Sequence, residues 1–105
     1  MIMSQEERSD FNPLSAKETV EQKKERLMPI LRGSLEVWND GERPLSEGSL
    51  TFVQLLKDGR EQVVPNMIVV SIEDGDVELC VIEEDGGSGD SAYMTWGSIV
   101  DARKE

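Results

Sequence analysis

The chain has 105 residues, with 22 acidic and 11 basic side chains, no histidine and a net charge of −11. This length is typical of one domain, and the single cysteine, Cys80, excludes an intramolecular disulfide. With one cysteine and no histidine the chain lacks the ligands of the usual zinc sites, and the absence of histidine also excludes the commonest general base and the standard nucleophile triads. We therefore predict that the protein is not an enzyme and has no cofactor.

The apolar runs of the chain are short. None approaches the roughly 20 residues that a membrane-spanning helix needs. The first ten residues are polar and lack the apolar centre of a signal peptide. From these two features we expect a cytoplasmic protein that makes no contact with a membrane.

The chain begins with a polar segment, and we predict a flexible tail over residues 1–13 and a single small domain over residues 14–105. Ser15 followed by Glu18 has the spacing of a capping box, which predicts the start of a helix over residues 15–28. Pro29 is expected to end this helix, because the residue before a proline is disfavoured in the α region.

After Leu31 the pattern changes to short apolar or alternating segments, which are typical of strands. Four Asp-Gly pairs punctuate the chain, and such pairs are a strong signal for hairpin turns. The pairs are Asp40-Gly41, Asp58-Gly59, Asp74-Gly75 and Asp85-Gly86. The predicted strands are Ser34–Asn39, Ser49–Leu56, Arg60–Val64, Met67–Glu73, Asp76–Glu83, Ala92–Trp96 and Ser98–Val100.

These segments predict a mainly β fold, in which one N-terminal helix precedes a small barrel or strongly bent sheet of five to six antiparallel strands. The predicted core takes its residues from the apolar positions of the strands. It comprises Leu35, Val37, Leu50, Phe52, Leu55, Ile68, Val70, Ile72, Val77, Leu79, Val81 and Ile99.

The segment Leu31–Gly41, followed by Gly48, Ser49 and Leu50, resembles the first sequence motif of Sm-like proteins. The outline of one helix and five short strands is similar to that family and, the helix aside, to SH3-like barrels. The resemblance implies a barrel and a ring of subunits. It does not imply RNA binding, because the base-contacting Asp and Asn have no counterparts after Phe52 and the later Arg-Gly pair is missing.

The stretch from Glu61 to Ala102 contains ten carboxylates and no lysine or arginine. Such a one-sided charge repels nucleic acid and membrane surfaces and favours basic partners. We predict that part of this stretch binds a basic protein, the alternative being a surface that serves solubility only. The acidic candidates are Glu73, Asp74, Asp76, Glu78, Glu83, Glu84, Asp85 and Asp90.

Two acidic turns offer oxygen atoms of the kind that Ca²⁺ or Mg²⁺ prefers, at 73–76 and 85–90. Neither matches the EF-hand loop, so we predict no metal site. The glycine-rich segment 86–89 lacks a lysine and is surrounded by carboxylates, which excludes a phosphate-binding loop.

Two aromatic residues near the C-terminal strands, Tyr93 and Trp96, complete the candidate partner-binding residues. Together they could line a groove, or a cage for a methylated cation, and the alternative is ordinary packing. Cys80 lies between Leu79 and Val81 in a predicted strand, so we expect a packed side chain and not a nucleophile.

The sequence thus favours a non-enzymatic binding or assembly module that acts through protein–protein contacts, with an acidic face for a basic partner. Exposed strand edges would let copies of the chain pair as a homo-oligomer. One alternative is an acidic inhibitor that mimics nucleic acid and occupies a DNA- or RNA-binding protein. Another is an Sm-like RNA-binding oligomer, which the net charge disfavours because nucleic acid is unlikely as a partner of so acidic a chain.

Overall fold

A computed structural model describes residues 18–105 as one helix followed by a five-stranded antiparallel sheet. The predicted tail, residues 1–13, lies outside the described residues. The elements are α1 (Val20–Asp40), a 3₁₀ helix (Leu45–Gly48), β1 (Leu50–Leu55), β2 (Glu61–Ile72), β3 (Asp76–Ile82), β4 (Ser88–Thr95) and β5 (Ile99–Lys104). The mainly β class predicted from the sequence is confirmed.

Helix α1 begins later and ends much later than predicted. Thr19 is its N-cap: the Gln22 backbone N–H donates to Thr19 Oγ1 at 3.1 Å, and the Thr19 backbone N–H donates to Gln22 Oε1 at 3.0 Å. The predicted cap, Ser15, lies outside the described residues. The helix continues through Pro29 to Asp40 and ends at Gly41, whose φ of 79° glycine adopts without strain.

The predicted helix end at Pro29 and the predicted strand Ser34–Asn39 are therefore wrong. Four buried residues, at helical spacing on one face of α1, explain the difference. They are Leu27, Leu31, Ser34 and Val37. Their burial against the sheet compensates for the hydrogen bond that Pro29 cannot donate.

The sheet has the strand order β4-β3-β2-β1-β5, and all neighbours are antiparallel. Each of the four pairings contains a register shift, and such bulges bend strands locally. Because β4 and β5 are the two edges and do not pair, the sheet is open, and a closed barrel is wrong. Helix α1 covers the apolar face that an opposite barrel wall would otherwise cover.

Strand β2 joins two segments that the sequence analysis treats as separate strands. Pro65 lies where the β1–β2 register shifts, between the pairs Phe52–Val64 and Leu50–Met67, so its missing N–H costs no regular ladder bond. The next residue, Asn66, has a φ of 61°. A proline at a bulge therefore does not interrupt a strand.

The Asp-Gly pairs act as predicted in three places. They connect β1 to β2 at 58–59, β2 to β3 at 74–75 and β3 to β4 at 85–86. The glycines at 59 and 86 have positive φ. The fourth pair, at 40–41, ends the helix instead.

Two groups of apolar side chains form the core. The larger lies between α1 and one face of the sheet, and the smaller, Val37, Ile68 and Cys80, lies on the other face. Of the predicted core, Leu55 is wrong, since 43% of it is exposed, and Leu35, Val70, Ile72 and Val81 are only partly buried. Cys80 is packed as expected, and the buried apolar residues that the predicted core omitted are Leu27, Leu31, Met67, Val69, Met94, Trp96 and Ala102.

Candidate functional site

The predicted acidic candidates lie on four consecutive parts of one half of the sheet. We define the acidic surface as the carboxylates of the β2–β3 turn, of β3, of the β3–β4 turn and of β4. Its members are Glu73, Asp74, Asp76, Glu78, Glu83, Glu84, Asp85 and Asp90. All are exposed except Asp76 and Glu78, which are half-buried.

The acidic surface has no ion pair with any lysine or arginine of residues 18–105. The ion pairs of this part of the chain lie on the helix, beside the 3₁₀ helix, at the β1–β2 turn and on β5. They are Lys24–Glu21, Arg26–Glu18, Arg26–Asp101, Arg43–Glu47, Arg60–Asp58 and Arg103–Asp101. No ion pair with a residue of 18–105 therefore neutralises this surface, although Glu73 and Asp74 line the same depression as Lys24 and Arg32 of α1.

The strand order places this charge at one side of the molecule. β4 is an edge, and β3 is its neighbour, whereas the described cations lie on α1, just after it, at the β1–β2 turn and at the end of β5. The sheet is thus acidic at its β4 edge and mixed in charge at its β5 edge. A field of this kind extends about 10 Å into solution at 0.1 M salt.

The β3–β4 turn holds its three carboxylates in a defined backbone conformation. The Gly86 N–H donates to the Glu83 carbonyl at 2.9 Å, and the Glu83 N–H donates to the Gly87 carbonyl at 2.7 Å. Asp85 Oδ1 accepts from the Gly87 N–H at 2.9 Å. The side chain of Glu83 lies over Gly89, where a larger residue would displace it.

The two aromatic candidates lie on opposite faces of the sheet. Tyr93 is 61% exposed and stands opposite Glu78, whose negative charge raises the pKa of the phenol. Trp96 is 2% exposed, belongs to the larger core, and donates its Nε1–H to the Glu73 carbonyl at 2.8 Å. Tyr93 and Trp96 therefore cannot line one groove, and Trp96 is not part of the surface.

Two lysines of α1 cover Trp96 on its helix side. Lys23 Nζ donates to the Trp96 carbonyl at 3.0 Å, and Lys24 Nζ lies 5.5 Å from the centroid of the indole ring. Desolvation lowers the pKa of Lys23. These contacts fix the tryptophan as a structural residue between α1 and the β2–β3 turn.

The described residues bring few reactive groups together. Cys80 is buried, as predicted, and its burial raises the pKa of the thiol, which disfavours the nucleophilic thiolate. Across residues 18–105, no three carboxylate or thiol side chains converge in a way that could hold a metal ion. The arrangement suits binding through charge and shape.

No helix in the described part of the chain is both long and apolar enough to cross a membrane. No family model matches the chain, and neither a curated protein nor a solved structure is similar to it at a significant level. Function is therefore inferred from the chain's own residues.

A second feature of this half of the sheet was not predicted from the sequence. Four apolar side chains are only partly buried against the smaller core: Trp38, Leu45, Val70 and Ile82. The helical spacing from Leu27 to Val37 was the signal that could have placed Trp38 next to this face.

Proposed function

We propose that the chain is a non-enzymatic binding and assembly module that acts through protein–protein contacts, and that its acidic surface binds a basic partner. The observation that carries this proposal is the absence of an ion pair at all eight carboxylates within residues 18–105. Carboxylates that make no ion pair within the described part of the chain can pair with the cations of a partner. Their common field also raises the rate of encounter with a basic protein.

Charge reversal tests this proposal. The variant Glu83→Lys/Glu84→Lys/Asp85→Lys changes the centre of the acidic surface. A control with the same change in net charge, Glu25→Lys/Glu36→Lys/Glu42→Lys, changes exposed acids that lie on or just after α1. Binding of a fluorescent oligolysine peptide is measured by anisotropy at several salt concentrations.

The turn variant should bind the peptide at least tenfold more weakly than the control variant and show a smaller dependence on salt. Equal losses in the two variants would mean that only net charge matters. In that case the acidic surface is not a specific site, and the proposal fails.

A homo-oligomer is the assembly form that the open sheet favours. β4 and β5 both offer unpaired backbone groups along an edge. Pairing of β4 with β4 of another copy would bring two acidic edges together, and like charges at a contact are destabilising. We infer that β4 of one copy pairs with β5 of the next, a head-to-tail contact that gives a ring if it closes.

Light scattering on a sizing column at physiological salt tests the assembly. A defined multiple of 11.7 kDa supports edge pairing. A monomer at every concentration would overturn the proposed edge pairing. The binding of a basic partner to the acidic surface is tested separately by the charge reversal.

The mimic of nucleic acid is the alternative hypothesis for the same surface. It requires the protein to displace DNA or RNA from a basic protein at low salt. Binding of the oligolysine peptide without such displacement would favour the adaptor over the mimic.

A further inference from the structure

The sheet face opposite the larger core is only partly covered. Strand pairing places Ile68, Cys80 and Ser91 in one row across this face, and Tyr93 lies on it opposite Glu78. Helix α1 reaches the row with Val37, which packs on Ile68 and Cys80. The helix therefore covers the β2 side of this face, whereas Ser91 and Tyr93 of β4 are exposed.

Four partly exposed apolar side chains surround this small core, and we name them the outer apolar patch. They are Trp38, Leu45, Val70 and Ile82. Val70 and Ile82 lie on either side of the Ile68–Cys80 pair along the strands. Beside Ile82 the surface forms a depression of about 390 Å³, whose other walls include Ser46 and Asn66. The patch is thus continuous with a concave surface.

The charges around the outer apolar patch are of one sign at both ends of β3. Glu78 lies at one end, next to Tyr93, and Glu83 and Glu84 follow Ile82 at the other end. The arginine nearest to Leu45 in sequence is Arg43, which donates to Glu47 Oε1 at 2.8 Å and is thereby neutralised. The patch is therefore an apolar strip with an acidic border.

We propose that the outer apolar patch is the docking surface for a basic amphipathic segment of another protein. The apolar side chains of that segment pack on Trp38, Val70 and Ile82, and its lysines or arginines reach Glu78, Glu83 and Glu84. This inference rests on the proposed function and adds the chemistry of the partner. Long basic side chains suit the border, because their stems bury apolar area while their charged ends stay near carboxylates.

Charge decides against a second copy of the chain as the occupant. Two copies meeting face to face at this patch would bring the carboxylates of two acidic borders, Glu78, Glu83 and Glu84, into contact. A basic segment removes that repulsion and covers the apolar strip in the same contact.

Two synthetic peptides of equal length and equal lysine content test the proposal. In the first, leucines and lysines alternate at helical spacing, so that one face is apolar. In the second, serines replace the leucines. The affinity of each peptide for the full chain is measured by calorimetry. Trp38 fluorescence is followed as a local signal, and the variant Trp38→Phe shows which part of the total tryptophan emission comes from Trp38.

The amphipathic peptide should bind about tenfold or more tightly than the serine peptide, because burial of two or three apolar side chains is worth at least that factor. It should also shift the Trp38 emission to shorter wavelength. The double variant Val70→Thr/Ile82→Thr should lose most of this preference, since threonine keeps the branched shape but adds a hydroxyl. Leu55→Thr, which changes an exposed leucine on another part of the sheet, should keep it.

Equal affinity of the two peptides for the full chain, or an unchanged Trp38 emission, would overturn the inference. Neither readout needs a variant that folds less well. If both peptides bind equally and the charge reversal at 83–85 still weakens binding, the acidic surface stands and only the apolar docking fails. If the charge reversal has no specific effect, the proposed function itself fails.

Discussion

At the scale of single residues, Ser34 connects three elements from a buried position. Its Oγ–H donates to the Gly48 carbonyl at 2.6 Å, and the same oxygen accepts from the Val69 N–H at 2.9 Å. β1 begins at Leu50, opposite Met67, so β2 has no strand on that side beyond this pair. Ser34 takes the place of the missing ladder partner.

The variant Ser34→Ala should therefore lower the free energy of unfolding by about 2–4 kcal/mol, because it leaves a buried N–H and a buried C=O unpaired at roughly 1–3 kcal/mol each. Urea unfolding followed by circular dichroism measures the change. Ser91→Ala, on the exposed edge strand, is the control and should cost little. A loss no larger than that of the control would contradict the bridging role.

A carboxylate at the end of the sheet has a similar connecting role. Glu105 accepts hydrogen bonds from the Ser49 hydroxyl at 2.8 Å, the Thr51 hydroxyl at 2.6 Å and the Asn66 N–H at 2.7 Å. The hydrogen bond from Thr51 makes the largest contribution to lowering the pKa of Glu105, and the bonds from Asn66 and Ser49 lower it further. The ionised side chain holds the bulge of β2 against β1.

Because the folded-state pKa of Glu105 is lowered, its contribution to stability is present above the ordinary glutamate pKa and is lost as the pH falls through the folded value. Glu105→Gln should flatten the acid side of the stability profile, measured by thermal unfolding from neutral pH downward. Glu25→Gln, which removes one exposed carboxylate outside the acidic surface, is the charge-matched control. An unchanged profile for Glu105→Gln would show that the three hydrogen bonds do not favour the ionised form.

At the scale of elements, helix α1 shows where local sequence rules give way to tertiary packing. Ser34-Leu35-Glu36-Val37 alternates polar and apolar residues and fits the start of a strand, and Pro29 is a local signal for a helix end. In the structure the spacing of Leu27, Leu31 and Val37 decides the conformation, because it lets one helix cover both cores. No rule limited to a few residues contains that information.

The strands after Leu50 were predictable for the opposite reason. Their alternation and the Asp-Gly pairs are local signals that agree with the tertiary structure, except at Pro65, where β2 continues through a predicted break between two strands. The acidic surface was predictable as a list of residues. Its position at one edge was not, because strand order is not encoded in composition. The separation of Tyr93 from Trp96 was not predictable, because β4 ends at Thr95 and Trp96 packs into the larger core from the turn that follows.

Pro29 offers a test of the helix itself. Its ring is exposed, and it donates no hydrogen bond inside α1. Pro29→Ala should therefore raise the free energy of unfolding by about 1–2 kcal/mol. The gain is smaller than the full helix penalty of proline, because alanine also increases the conformational entropy of the unfolded chain. Gly33→Ala is the matched variant, since nothing lies within 4 Å of its new methyl group and it should also stabilise. Denaturant unfolding gives both values. A loss of stability in Pro29→Ala alone would mean that the proline bend is needed for packing on the sheet.

At the scale of the whole molecule, the acidic surface acts on stability as well as on binding. Its carboxylates repel one another across β3 and β4, and salt shortens the range of that repulsion. We expect the melting temperature to rise when NaCl is increased from about 0.02 M to about 0.5 M, over which the Debye length falls severalfold.

The variant Glu83→Gln/Glu84→Gln/Asp85→Asn should melt higher than the natural chain at low salt and respond less to added salt. The control Glu25→Gln/Glu36→Gln/Glu42→Gln removes the same number of charges from positions on or just after α1. Scanning calorimetry at both salt concentrations compares them. Identical salt responses in the two variants would show that the repulsion is spread over the whole chain.

The lysines, whose side chains carry primary amines, are also unevenly distributed over the fold. Within residues 18–105 the lysines are Lys23, Lys24, Lys57 and Lys104, on α1, at the β1–β2 turn and at the end of β5, and β2, β3 and β4 have none. Amine-directed cross-linking or attachment of ubiquitin in this part of the chain would thus spare β2, β3 and β4, and at Lys24, which lines a depression with Glu73 and Asp74, it would lie beside the acidic surface.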